Sequence, residues 1–484
     1  MVISNNQLLL SMENFHLLKI DLMNPTKPTE IDLNPYFVPI KAPNRPVICG
    51  LFIDNSGQHC LITVGQRIKN NPSMDVIPFE NFYYYRKLSL LNKMKGHIIT
   101  AVGWLDQPQH QQSGQCGNLL IGTNEGKIFE THLQSDDRFL ASRELSFWKL
   151  ICDFSPTIAS TAANLDYSSS NLSNSSMDPN KTSSSSSSSV ATANTIAVKQ
   201  EPICAIKLFR LKNREFCILI ATRNLIYQYI GRISPSTTTQ LIGGINSGTF
   251  ADMSTGVGNG QLIDGQPYLY QIIQGPNSQK TFKEMPGYIP ATRLDLFRPT
   301  ISTNMDNNYP LSFGWLTEPG IFYGDIPSDF GYKERKIFDN ATVIMYSDLN
   351  QPLSDSEHSR ESSNHLHHHR SIPQSLVLTR FHLMLLYPHK LRVYCVLNRQ
   401  LVWEDRFVGE PGENLVKDPI RNTIWSYTKS SVYRYRINQE DRNIWEIYLK
   451  KKDFEQAKHF ARNDLIKMDR IICEEALYHF AHKK

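Results

Sequence analysis

The densest set of potential metal ligands in this chain is His365, His367, His368 and His369. Imidazoles so grouped can bind a divalent ion, but a closed site also wants Cys or carboxylate partners at ligand spacing. These four lie in the polar run from Leu353 to Arg370 with no cysteine nearby, and read as a solvated tract without metal. Gly256-Val257-Gly258-Asn259-Gly260 has the look of a phosphate-cradling loop. It lacks the Lys-Ser/Thr of a P-loop and the G-x-G-x-x-G spacing, and no helix follows to offer its N-terminus. Ser, His and Asp are plentiful, yet no G-x-S-x-G frames a nucleophile. Trp315 with Asp325 has the composition of a cleft, but the better reading is a packed blade tryptophan and a turn-forming aspartate. The eight cysteines (Cys49, Cys60, Cys116, Cys152, Cys204, Cys217, Cys395, Cys473) are scattered without a C-x-x-C pair. They read as small buried hydrophobes of a reducing compartment. The sequence therefore predicts no enzyme, with no catalytic, cofactor-binding or metal-binding residue.

Charge narrows the partners. A formal net charge of +5 over 484 residues, with both signs interspersed, leaves no concentrated basic stripe for nucleic acid. The helical segment from Asn438 to Lys484 carries ten Lys/Arg against nine Asp/Glu, too balanced for a helix-turn-helix on phosphates. Lys450-Lys451-Lys452 reads as a solvated turn between helices. Met1-Val2-Ile3-Ser4 runs straight into a strand without a basic and then apolar leader, and no apolar run reaches the roughly 20 residues of a membrane span. The expectation is a cytosolic protein whose sequons at Asn171, Asn174, Asn180 and Asn340 stay unmodified.

The elements that carry these residues repeat. An apolar block, a polar or Gly-containing bend and a second apolar block recur from Leu8 to Leu18, Leu119 to Phe129, Ile218 to Tyr229, Phe313 to Tyr323, Met384 to Tyr394 and Ile424 to Ile437. Each predicts a β-hairpin. Val47–Ile53 and Cys60–Val64 flank another turn, and Ile98–Trp104 after Gly96-His97 is similar to the opening strand of a WD-type blade. Leu376 to Asp405 holds four strand-like runs, a whole unit. Four-stranded units repeated radially make a propeller, with a two-sheet sandwich as the alternative. Residues near 155–200, including the unbroken Ser183–Ser189, and 353–370 lack the apolar side chains to offset ordering, and are expected to be disordered insertions. Ser234–Gly265 is expected to be partly loose. At roughly 40–50 residues per blade the remainder predicts about seven blades over 1–437.

The period then changes. Val432–Ile437 alternates as a half-buried strand, whereas Ile444, Ile447 and Tyr448, then Phe454, Ala457, Phe460 and Ala461, recur at three and four. A third helix is predicted from near Leu465. Residues 438–484 read as the first, incomplete helices of an α-solenoid. Such an array needs at least about three repeats to bury its faces. The chain is accordingly expected to be a fragment of a longer one.

Several stretches carry a resemblance. They are Ser4-Asn5-Asn6-Gln7-Leu8, Leu17–Leu22, Thr100–Trp104, Ile121–Glu130, Tyr227–Arg232 and Phe313–Trp315. At the junction come Trp425–Thr428, Val432–Tyr435, Asp441–Trp445, Tyr448-Leu449 and Phe454–Lys458. In this order they resemble the vacuolar protein sorting-associated protein 18 family, also called deep orange. The resemblance implies a non-catalytic core subunit of the HOPS and CORVET endolysosomal tethering complexes, acting in vesicle docking and fusion and in protein transport to the lysosome or vacuole. It implies other class C vacuolar protein sorting subunits as partners, SNARE and Rab machinery reached through the complex, and a cytoplasmic protein peripheral on late endosome and lysosome or vacuole membranes. Family members end in a zinc-binding RING domain, and no such Cys/His array occurs in this sequence. Zinc and ligase activity therefore do not carry over. A ubiquitin-ligase-associated subunit and a coat or nuclear-pore scaffold are the alternatives. A start at Met1 is expected to leave the first blade one strand short.

Overall fold

The computed structural model describes residues 1–36, 46–67, 76–105, 115–134, 147–154, 201–211, 215–233, 267–289, 292–299, 309–327, 336–349, 372–462 and 464–482. Seven antiparallel sheets follow one another in sequence over 2–32, 46–90, 99–153, 205–284, 294–345, 375–406 and 414–435, here called blades 1 to 7. Every blade is a meander of neighbouring strands. First strands of neighbouring blades lie against one another, blades 4 and 5 join through a shared apolar cluster, and blade 7 returns to blade 1, so the chain closes into a seven-bladed β-propeller. The innermost strands are Val2–Ser4, Pro46–Ile53, Ile99–Trp104, Ala205–Arg210, Leu294–Phe297, Ser375–Leu378 and Asn414–Lys417.

The apolar runs in the sequence follow from this stacking. A second strand is covered by a neighbouring blade on each face, so both sets of alternating side chains are buried. In blade 3, Leu120 packs toward blade 4 while Leu119 and Ile121 pack toward blade 2. In blade 6, Leu383 and Leu385 face blade 5, and Met384 and Leu386 face blade 7. Trp315, fully buried between blades 4 and 5, belongs to the same pattern. The six predicted hairpins are the second and third strands of blades 1, 3, 4, 5, 6 and 7.

Two expectations fail. Blade 1 has all four strands, and the three-stranded blade is the last. The strand Val432–Tyr435 is not half-buried: Val432, Tyr433 and Arg434 are all exposed. It is the outermost described strand of its blade, at the rim where neighbouring blades cover the sheet faces least, so period-2 alternation there does not mark a buried face.

Among the described residues there are also five α-helices. The short α1 (Tyr270–Gln274) wedges between blades 3 and 4, and α2 (Tyr346–Leu349) follows blade 5. Then come α3 (Ile444–Lys450), α4 (Phe454–Ala461) and α5 (Leu465–His482), at the places the three-and-four spacing predicts. Asp453 caps α4 by accepting from Gln456 N. The insertions near 155–200 and 353–370, the 234–265 stretch, the His tract, the Gly256–Gly260 loop and the sequons at Asn171, Asn174 and Asn180 lie outside the described residues.

Candidate interaction surfaces and the axial channel

The innermost strands enclose an axial channel with two chambers. A wide one of about 1060 Å³ is lined at the face where those strands begin, by residues such as Ile48, Ile98, Pro202 and Thr292. A narrower one of about 380 Å³ lies toward their ends, lined by Ile53, Leu296, Val377 and Asn422 among others. Lys207 and Arg293 are the two charged residues that line both, which places them at the waist. Burial pushes the Lys207 ammonium below its usual range, with Asp295 opposing the shift and Lys417, Arg298 and Arg293 adding to it. Burial also lowers Arg293.

Lys417 is spent on structure. Its Nζ donates to Asp295 Oδ2 (2.6 Å), Leu296 O (2.8 Å) and Leu378 O (3.1 Å), while Asp295 Oδ2 also accepts from Leu378 N (2.8 Å). One ion pair thus ties blades 5, 6 and 7 at the channel wall. Its neighbour Asp418, wholly buried, closes the ring. Oδ1 accepts from Asn5 N (3.0 Å), Ile420 N (2.9 Å) and Arg421 N (3.0 Å), and Oδ2 from Asn6 N (2.9 Å). Asn5 and Asn6 have φ of 45° and 63°, the two-residue turn that joins the first two strands of blade 1. The apolar seam at this junction is small, built around Met1, Ile3, Leu8 and Trp425. A carboxylate that satisfies two donors across it therefore matters more than at the other six seams.

A second carboxylate fixes the helices to the propeller. Glu440 Oε1 accepts from Thr379 Oγ1, Phe381 N (2.7 Å) and His382 Nδ1 (3.0 Å) in the first turn of blade 6. Burial alone would raise this carboxyl, but the hydrogen bonds from His382, Thr379 and Phe381 outweigh it and hold it below the usual range. Phe381 and Cys395 of blade 6 bury Ile444 of α3, and Phe381 meets Phe460 of α4 edge-on at 5.4 Å. The helices continue inward with Trp445, Leu449, Phe454, Ala457 and Ile471. The far side of α5 is different: Leu465, Ile466, Leu477 and Phe480 are 81%, 83%, 66% and 83% exposed. Among the described residues nothing covers this apolar face.

The nearest approach to an acid–base set is Asp54, His59 and Tyr83. His59 Nδ1 and the Tyr83 hydroxyl lie 2.6 Å apart, and Tyr85 stacks on the imidazole at 4.5 Å. Asp54 does not reach the ring: it accepts from the backbone N–H of Gln58 and His59 and from Ser56. The set builds a turn and a buried contact, and burial lowers the His59 imidazole. No group of three or more His, Cys, Asp or Glu side chains positioned for a metal occurs among the described residues.

Residue matching of the whole chain decides the family. The Pep3/Vps18/deep orange beta-propeller domain matches residues 1–437. The chain belongs to this family. It is 24% identical to the vacuolar protein sorting-associated protein 18 homolog of Danio rerio, over all of this chain and 39% of that protein. It is 23% identical to the homolog of Drosophila melanogaster, over 90% of this chain and 35% of that protein. The chain thus spans well under half the length of these relatives. Among solved structures it is similar to the Myceliophteria thermophila Cps50 (Swd1) β-propeller domain, with a TM-score of 0.41 and 9% identity over 90% of this chain and 93% of that one.

On this Pep3/Vps18 propeller, the residues that the sequence singles out fall apart. Trp315 is core, and Asp325 ends a strand where it accepts from the Tyr323 hydroxyl, so it is not a turn residue. The cysteines are mixed: Cys60, Cys116, Cys217 and Cys395 are buried as expected, Cys152 and Cys204 half-buried, but Cys49 and Cys473 are exposed. Lys450 closes α3, and Lys452 pairs with Glu474 of α5 at 3.3 Å on the surface. Sequence reasoning missed Lys207, Arg293, Asp295, Lys417, Asp418 and Glu440. Asp418-Pro419 and Asn5-Asn6 are legible as turn formers. Nothing local says that they meet across 413 residues.

Proposed function

We propose that this chain is the propeller part of a non-catalytic scaffold subunit of the HOPS and CORVET endolysosomal tethering complexes. Its role is vesicle docking and fusion and transport to the lysosome or vacuole, where it sits peripherally on the membrane. The family match over 1–437 carries this reading. The ring offers a rigid docking body, and binding energy alone is enough for a tether: an interface of standard size with aromatic anchors needs no catalytic group. The helices after Ile437 are the start of an α-solenoid, and the apolar face of α5 fits that reading, since a solenoid helix buries its second face on the next repeat. No helix among the described residues is long and apolar enough to cross a membrane, which accords with a peripheral association. The partners are other class C sorting subunits, with SNARE and Rab machinery reached through them.

The test is an affinity tag at the endogenous locus, followed by native mass measurement and identification of co-purifying chains. Fixed stoichiometry with other sorting subunits, and their loss from endolysosomal membranes when the locus is deleted, are expected. A tagged protein that runs alone and whose deletion leaves vacuolar cargo correctly delivered refutes the reading.

A further inference from the structure

The channel waist has more positive charge than the fold uses. Five basic side chains line the two chambers (Lys207, Arg223, Arg293, Arg298 and Lys417) against two carboxylates, Asp295 and Glu413, among the described residues. Lys417 and Asp295 neutralise each other at 2.6 Å. Arg298 donates to Leu208 O at 3.3 Å, and Arg223 lies over the Tyr288 ring at 4.6 Å. Lys207 and Arg293 remain; among the described residues Arg293 Nη1 reaches only the carbonyl of the adjacent Thr292, at 3.3 Å. They come from neighbouring blades, and the waist around them is otherwise Val2, Leu51, Phe52, Val102 and Leu294 with Asn414. Two cations in an apolar constriction focus a positive potential that water screens poorly. The ties between blades run through other groups: the apolar seams, Lys417 and Asp418, and polar contacts such as Arg298 to Leu208 O, Ser375 to Leu415 O and Ile337 N to Gln228.

We propose that the axial channel binds a small, soluble, multiply charged phosphate compound, admitted through the wide chamber and held at the waist by Lys207 and Arg293. Lys supplies a point charge and Arg a planar fork for phosphate oxygens. Lys207 lines both chambers, so a ligand must pass through the wide chamber to reach it, a path open to a small soluble anion. That favours a free phosphate over a lipid. Burial holds the Lys207 ammonium below its usual range, and a bound anion would raise it.

The test is calorimetric titration of the full chain with inorganic tripolyphosphate, beside co-sedimentation with phosphatidylserine vesicles. One saturable site is expected for tripolyphosphate. Its affinity should fall at least tenfold in Lys207→Gln and disappear in the Lys207→Gln, Arg293→Gln double variant. Lys283→Gln, on the exposed outer strand of blade 4, should bind as the parent does. A rise in melting temperature with tripolyphosphate should occur in the parent and not in the double variant. Should the double variant melt low, the charge-preserving Lys207→Arg, Arg293→Lys pair decides: retained binding supports the site. No saturable binding of tripolyphosphate, equal binding in a folded double variant, or binding to vesicles alone would overturn it.

Discussion

Removing the Asp418 carboxylate should open the ring at its weakest seam. In Asp418→Ala the N–H groups of Asn5 and Asn6 lose their acceptors at 3.0 and 2.9 Å, and those of Ile420 and Arg421 lose theirs within the turn of blade 7. The latter two can find water. The former two sit at the seam, held in a left-handed turn, and a hydrogen bond to a charged group contributes about 1.5–3 kcal/mol. Two such bonds give a loss of about 3–6 kcal/mol, a large share of the roughly 5–15 kcal/mol that holds a folded domain. The melting midpoint, followed by circular dichroism, should drop by roughly 5–10 °C. Hydrogen exchange at the Asn5 and Asn6 amides should accelerate before exchange in blades 3 to 5, because the ring opens where its apolar seam is smallest. Asp418→Asn keeps one acceptor and should fall between. Glu410→Ala, which removes an exposed carboxylate from Ser430, is the control and should leave the midpoint in place. A midpoint for Asp418→Ala within about 1 °C of the parent, with Asn5 and Asn6 exchange unchanged, would refute the idea that this residue closes the ring.

Lys417→Met strands Asp295 at the channel wall without its cation, and should cost about 3–5 kcal/mol in urea unfolding; replacing both partners by apolar residues should recover much of it. At Gly231 an added Cβ would lie 2.9 Å from Ile272 Cα, so Gly231→Ala must push α1 outward. A loss of about 1–3 kcal/mol in the same assay is expected. Glu440 gives a pH signature. Its carboxyl is lower in the folded state than in the unfolded chain, so its stabilisation is complete above the unfolded value, near 4.3, and disappears as pH falls through the lower folded value. Release of the helices from blade 6, read by tryptophan fluorescence at Trp445, should therefore begin below about pH 4 in the parent. In Glu440→Gln the docking should already be weaker at neutral pH and lose that acid dependence.

What could be read without coordinates was whatever one blade decides by itself. A strand buried on both faces must be apolar at every position, so Leu119-Leu120-Ile121 and Met384-Leu385-Leu386 announce themselves, and the turn chemistry between them sets the hairpins. Helical spacing after Ile437 is equally local, and α3, α4 and α5 fall where it puts them. Exposure was not legible in the same way. Val432–Tyr435 alternates like a half-buried strand, yet whether a face is covered depends on how far the neighbouring blades reach out along the sheet. Cys49 and Cys473, alike in type to the buried cysteines, are exposed because tertiary structure puts the first on an inner strand at the channel wall and the second on the open side of α5. The channel charges and the two fastening carboxylates were decided only by closure. Asp295, Lys417 and Lys207 look like ordinary surface charges until the ring brings blades 4, 5 and 7 around one axis. Asp418 meets Asn5 only because the last blade packs on the first. Local sequence fixes backbone preference and apolar burial, which act over a few residues, whereas electrostatic partnership acts through space, and in this protein that space exists only once seven blades have closed.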